Sequence, residues 1–388
     1  MTTTIDISGI GAVTGYGWGR NQLWDGLLSG KPAASLHAGY STDGHDMAWL
    51  SRVPDGGLSS DGPTRSMRAM RAAVREAITD AKSRGWQPGR RVGLLHALVL
   101  PEIETWRAFY LEEGGQRRVR DYLALMPSTP VSMVMQEFGF HGPAMNVSAM
   151  CASGNAGMIT AKMWMDCGIV DDVVFVSTDL SLTTENVAHF VKLGVAVIDS
   201  EPLDACRPFQ EGSRGFAVGE ASVAFVLTNQ QTRGYAAMLG GAMTHDGYHV
   251  TSVDPARAHV DECVVAALEN AHVHPEDIAF LNAHGPGTQQ CDTAEAGVLD
   301  DLFDGRPGVY SVKPLTGHCQ GAAAAVEIAA AALAYSHGVI PAAPRVAPGH
   351  RRLLDGPTPI HGGITLKTSL GMGGQNSAIV LSPPTQSA

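Results

Sequence analysis

Short apolar, β-branched runs alternate along this chain with longer alanine-rich stretches, and glycine-containing turns separate the two. Val92-Gly93-Leu94-Leu95, Val173-Val174-Phe175-Val176-Ser177 and Ala221 to Leu227 are almost continuously apolar, the pattern of strands buried on both faces. Between such runs, Arg65, Arg68, Arg71 and Arg75 recur at helical spacing, and Ala152 to Met165 is rich in small residues, so helices are predicted there. Alternation of this kind predicts an α/β chain and not an all-β one. No period of solenoid length is visible. A coarse twofold pattern is present, because Ala221 to Leu227 closes the first part as Ser377-Ala378-Ile379-Val380-Leu381 closes the second. The polar break from Thr228 to Gly234 marks the seam, which predicts two related halves, residues 1–230 and 231–388, each a mixed sheet with helices.

A chain of 388 residues that is 44% hydrophobic can bury a large core. Its most apolar helix-like stretch, Gly321 to Tyr335, contains Glu327 and is too short to span a bilayer. The first residues, Met1-Thr2-Thr3-Thr4-Ile5-Asp6, lack the basic and apolar segments of a secretion signal. Six cysteines without a C-x-x-C pair or a regular framework point to a reducing cytoplasm and no structural zinc. His272 with His274, and His245 with His249, lack a third ligand nearby and read as loop histidines, so no metal is expected. A formal net charge of −11 argues against nucleic acid.

Chemistry concentrates in three distant segments: Ser148-Ala149-Met150-Cys151-Ala152-Ser153-Gly154, Asn282-Ala283-His284-Gly285-Pro286-Gly287-Thr288 and Lys313-Pro314-Leu315-Thr316-Gly317-His318-Cys319. Ala144 to Ala149 reads as a strand and Ala152 to Met165 as a helix, which puts Cys151 at a helix N-terminus. Unpaired N–H groups and the dipole there favour a thiolate. Two neutral imidazoles, His284 and His318, can each donate an N–H to a developing oxyanion. Glu327, among Ala, Val and Ile, needs a buried partner. A polar network through Lys313, Glu295 and Glu327 follows, with Asp292 nearby.

In order and spacing these segments resemble the Cys-His-His centre of the β-ketoacyl synthases of the elongating type. The family pattern is a cysteine, then His-Gly-Thr-Gly-Thr, then a lysine with Gly-His five residues on, then Gly-Phe-Gly-Gly. This chain supplies Cys151, His284, Lys313 with His318, and Gly371-Met372-Gly373-Gly374. The resemblance runs from Ile7-Ser8-Gly9 to Val380-Leu381 and implies a thiolase-like fold, two related halves in five α-β-α-β-α layers with the site between them. It implies an acyltransferase that binds no cofactor of its own and accepts the phosphopantetheine arm of an acyl carrier protein. It further implies an oxyanion hole from the N–H groups of Cys151 and Met372, and substrate contacts at Thr288, Pro286, Met372 and Gly373. Carrier docking would fall to basic clusters, Arg65 and Arg68 in one and Arg117, Arg118 and Arg120 in the other. A dimer is implied, with a copy of itself or with a related subunit.

Departures from the pattern cluster around the acyl pocket. Pro286 replaces the first threonine of the histidine motif, Met372 replaces the gating phenylalanine, and Thr368-Ser369-Leu370 stands where Asn-Ser-Phe is usual. These changes leave the reacting residues intact and shift the expected product towards polyketide or specialised lipid. Two other readings stay open: a non-decarboxylative acyltransferase or cyclase using the same acyl-cysteine, and a partner subunit that shapes the tunnel of a true synthase. Retention of Cys151 speaks against the latter.

Overall fold

The computed structural model describes residues 4–42, 45–100, 102–111 and 118–384. The apolar runs are strands. In the first half these are β1 (Ile5–Thr14), β2 (Val92–Ala97), β3 (Ala144–Val147), β4 (Asp172–Asp179) and β5 (Ala221–Thr228). In the second they are β6 (Ala236–His245), β7 (Ile278–Asn282), β8 (Gly308–Tyr310), β9 (Ile364–Gly371) and β10 (Gln375–Ser382). The first half runs β3-β2-β4-β5-β1 and the second β8-β7-β9-β10-β6, which is the same order with each strand replaced by its counterpart. Orientation repeats too. β2 is parallel to β3 and β4, and β7 to β8 and β9, while the remaining pairs in each half are antiparallel. The halves join edge to edge through antiparallel pairing of Ile5–Ile7 with Ala236–Met238.

The helices repeat with the strands. α1 (Arg65–Ser83) and α2 (Ser128–Phe138) cover the outer face of the first half, burying Met70, Val74 and Val134 against Leu94, Val174 and Val176. α4 (Ala258–Ala271) and α5 (Gln289–Phe303) cover the second, burying Leu268, Val298 and Phe303 against Leu366 and Val380. Between the inner faces lie α3 (Ser153–Asp166) and α7 (Ala323–His337), so the five layers are complete. Every residue of α7 from Ala323 to Ala334 is buried, and a helix that is apolar all round belongs in such a middle layer. Small residues set the spacing: a Cβ on Gly154 of α3 would sit 2.8 Å from Ala324 Cβ and from Ala325 N. The fold is the thiolase-like α/β fold. In both halves the third strand runs into a middle-layer helix, and those two connections carry Cys151 and the Lys313–His318 segment.

Candidate active site

Cys151 lies between β3 and α3, one residue after Met150, whose φ of 50° is left-handed. A non-glycine residue in that region carries strain of order 1 kcal/mol, so the turn must be held from outside. Ser153 holds it, accepting the Ala149 N–H at 2.9 Å while its hydroxyl donates to the Met150 carbonyl. The thiol faces a cavity of about 440 Å³ lined also by His284, His318, Thr288, Pro286 and Met372. Gly373 follows with φ 87°, a conformation that suits glycine.

Burial pushes the Cys151 thiol up to about 11, and the opposing pulls of Lys313 and of the Met372 and Cys151 N–H groups do not cancel it. The helix-end thiolate expected from the sequence is therefore corrected. α3 begins in the middle layer, where desolvation is the largest influence on the thiol. Those two N–H groups still converge on Sγ, the pair the resemblance named.

His284 follows β7, and its loop is held by Glu295 of α5. Glu295 accepts the backbone N–H of His284 at 2.7 Å and of Gly285 at 2.8 Å, and the Thr368 hydroxyl as well. Lys313 opens α6 (Lys313–Thr316) and donates to the His284 carbonyl, with its Nζ 3.3 Å from His284 Nδ1. An ammonium only donates, so Nδ1 accepts and the neutral ring keeps its proton on Nε2. His318 reaches the same state by another route, because its Nδ1 accepts the Gln320 N–H at 3.1 Å. Its ring also meets Phe216 edge-on, centroids 4.6 Å apart. Burial, with Lys313 next, holds both imidazoles well below the ordinary histidine value, and both are neutral.

One sulfur and two ring nitrogens, all within 4.8 Å of one another, form a triangle that a metal ion could bridge. The hydrogen bonds on Nδ1 oppose that use. Each ring then offers a proton from Nε2 and not a lone pair, so the donor set suits an oxyanion better than a cation.

Lys313 and Glu327, each 1% exposed, form a buried ion pair. The expected network needs revision here. Its third member is Lys367 of β9, 2.7 Å from Glu327 Oε2, while Glu295 is spent on the His284 loop and not bonded to Lys313. Asp292 accepts the N–H groups of Phe209 at 3.1 Å and Gly287 at 3.2 Å, and burial pushes it up to about 7.

The first basic cluster is also corrected. Arg65 is buried and donates through both terminal nitrogens to Glu220, and Arg68 is turned to the carbonyls of Gly56 and Pro63. Arg71 and Arg75 pair with Asp61 and Glu137. These arginines tie α1 to the body and leave no free basic face. In the second cluster Arg118 is exposed beside Asp121, whereas Arg117 and the side chain of Arg120 lie outside the described residues. Sequence reasoning passed over Lys367, whose sole signal is one lysine in the strand Ile364–Gly371, and Gln320, which acts through its backbone. It also passed over Cys291, a second thiol on the cavity wall.

A thiol and two N–H-bearing imidazoles thus meet at the junction of two duplicated α/β halves of the thiolase-like fold. The chain belongs to the β-ketoacyl synthase family, whose N-terminal domain matches residues 60–233 and whose C-terminal domain matches residues 235–346. It is an acyltransferase of that family. The tetracenomycin polyketide synthase ketoacyl synthase alpha subunit of Streptomyces glaucescens is 31% identical over 366 residues, 86% of this chain and 85% of the relative. Among solved structures, a type II polyketide synthase acyl-carrier protein in complex with its ketosynthase bound to the hexaketide superposes with a TM-score of 0.85. That pair shares 21% identity over 99% of this chain and 100% of the other. The ketosynthase ApeO from Xenorhabdus doucetiae, solved with its chain length factor ApeC, gives 0.84 at 22% identity, covering 98% of each chain. No helix among the described residues is long and apolar enough to cross a membrane.

Proposed function

We propose that this chain is a decarboxylating ketosynthase that loads an acyl group onto Cys151 and condenses it with malonyl on the phosphopantetheine arm of an acyl carrier protein. Its setting is polyketide or specialised lipid assembly in the cytoplasm. The observation that carries the reading is the meeting of one thiol, two Nε2–H imidazoles and two backbone N–H groups at one end of a cavity of about 440 Å³.

In loading, Cys151 Sγ attacks the thioester carbonyl, and the N–H groups of Cys151 and Met372 receive the oxyanion. The pantetheine sulfur leaves as a thiolate and takes up the proton that the cysteine lost. In condensation, the malonyl carboxylate departs as carbon dioxide and its bonding pair becomes an enolate. His284 and His318 donate Nε2–H to that enolate oxygen. The enolate carbon then attacks the acyl carbonyl, and Cys151 leaves as a thiolate that regains a proton from water. Lys313 fixes the His284 tautomer, and Glu295, Asp292 and Glu327 hold the surrounding loops and charges.

Thr288 and Pro286 flank the arm, and Met372, slimmer than an aromatic gate, sets the acyl range. Among the carrier-docking residues, exposed Arg118 keeps that role. A second subunit of the same fold fits the outer edge of β3, where Met145 is 42% exposed. A copy of this chain or a related subunit serves equally.

The test is Cys151→Gln, which removes the nucleophile and keeps both histidines. Mass spectrometry of the carrier should show malonyl converted to acetyl without a new carbon–carbon bond. If this folded variant releases no carbon dioxide, and wild-type protein releases none with an acyl donor present, a non-decarboxylative acyl transfer replaces this reading.

A further inference from the structure

Lys367 has no solvent exposure, and the reaction as written gives it nothing to do. It sits between Leu366 and Thr368 in β9, both buried. Its Nζ lies 2.7 Å from Glu327 Oε2 and 3.2 Å from Ser369 Oγ, and it donates to the Thr368 carbonyl. Burial lowers its pKa, and the repulsion of Lys313 adds to that, while Glu327 and Glu295 oppose the shift. Burying a second ammonium beside the first is costly unless its partners offset the lost hydration, and stability alone would favour an apolar side chain.

The geometry supplies another reason. A carboxylate with a single ammonium partner can draw it between both oxygens. Here Lys367 stands against Oε2 of Glu327 as an ion pair at 2.7 Å without a hydrogen bond, and Lys313 hydrogen-bonds only Oε1. Lys313 keeps its other N–H directions for the His284 carbonyl and His284 Nδ1.

We propose that Lys367 is a positioning residue for condensation: by holding one oxygen of Glu327 it keeps Lys313 directed at His284, and so keeps the Nε2–H of His284 presented to the enolate. The inference rests on the decarboxylating reading for its kinetic consequence, but its structural consequence, the His284 tautomer, needs no substrate. Lys367 acts through Glu327, and that makes it separable from a residue that merely fills the core.

The experiment is a double-mutant cycle of Lys367→Met and Glu327→Gln, read by condensation rate, by acyl loading of Cys151, and by ¹⁵N histidine spectra of the resting protein. Lys367→Met should slow condensation by about ten- to a hundredfold, the scale for misplacing one donor by about an ångström. Loading and the KM for malonyl carrier should change less than about twofold, with the His284 signal moving away from the pure Nε2–H form. In the Glu327→Gln background the same substitution should add no further loss, because no carboxylate remains to recapture Lys313. Equal losses in both backgrounds, or an unchanged tautomer in Lys367→Met, would overturn the proposal. Should Lys367→Met alone fail to fold, Glu327→Gln and the double variant still give the decisive pair of rates and spectra. Failure of the decarboxylating reading would silence the rates in every variant and leave the tautomer result standing.

Discussion

The two halves share one strand order and one helix order, yet they use the same positions differently. In the second half, the segments after the second, third and fourth strands carry His284, Lys313 with His318, and Met372, all at a cavity of about 440 Å³. The segment after β2 in the first half instead meets the start of the segment after β4 around a cavity of about 50 Å³, between Leu98, Leu100, Leu180 and Ser181, while the rest of the latter walls the larger cavity with Phe190, Val195 and Phe216. That half brings Cys151 and part of the wall to the larger cavity. Buried charge divides in the same way. Arg65–Glu220 in the first half binds Val53 and Leu182 by their backbone N–H groups, whereas Lys313–Glu327–Lys367 in the second stands behind the His284 imidazole at the cavity. A duplicated scaffold thus fixes where loops emerge, and loop residues decide which emergence becomes a site.

That contrast can be broken at its charges. Arg65→Met strands Glu220 in the core and should cost about 3–5 kcal/mol of stability by denaturant unfolding, the range for halving a buried pair. Surviving folded protein should condense at the wild-type rate. A specific loss of condensation would mean that the first half shares the chemistry after all.

The donors come next. His284→Ala and His318→Ala should each reduce condensation by about 10²- to 10³-fold, the effect of deleting one oxyanion donor. Loading of Cys151, followed by intact mass, should survive because neither ring nitrogen faces it as a lone pair. Wild-type condensation in both variants would remove the enolate role from this pair.

The smallest effect sharpens the contrast between dipole and burial at Cys151. With its thiol at about 11, the thiolate fraction, and with it the iodoacetamide rate mapped to Cys151, should rise about tenfold for each pH unit between 7 and 9. The two histidines, already neutral, should leave carbon dioxide release by Cys151→Gln flat from pH 6 to 8. A plateau in alkylation near neutrality would restore the helix-end thiolate.

Much of this was legible before the structure. Cys151, His284, Lys313 and His318 stand out because each must sit in a turn crowded by small residues, and crowding is written locally. Helix α1 was equally plain from its arginine spacing, but the direction of those arginines was not. Their partners Glu137 and Glu220 arrive from 62 to 155 residues away, a separation at which pattern reading is blind. Lys367 was missed for the same reason, since nothing near it in sequence announces Glu327. The resting state of Cys151 was misjudged because a helix start is visible in sequence and its depth is not.

The placement of β1 has a consequence for synthesis. All ten of its residues are buried, and beyond a two-residue hairpin pairing of Val13 and Thr14 with Gly17–Trp18 both of its sheet neighbours lie after residue 220. At about 5–20 residues per second, the ribosome releases this apolar segment roughly 10–40 s before β5 emerges to pair with it. The nascent chain therefore carries this apolar segment without its two sheet neighbours through more than half of its translation, an exposure that favours aggregation until Ala221–Thr228 is made.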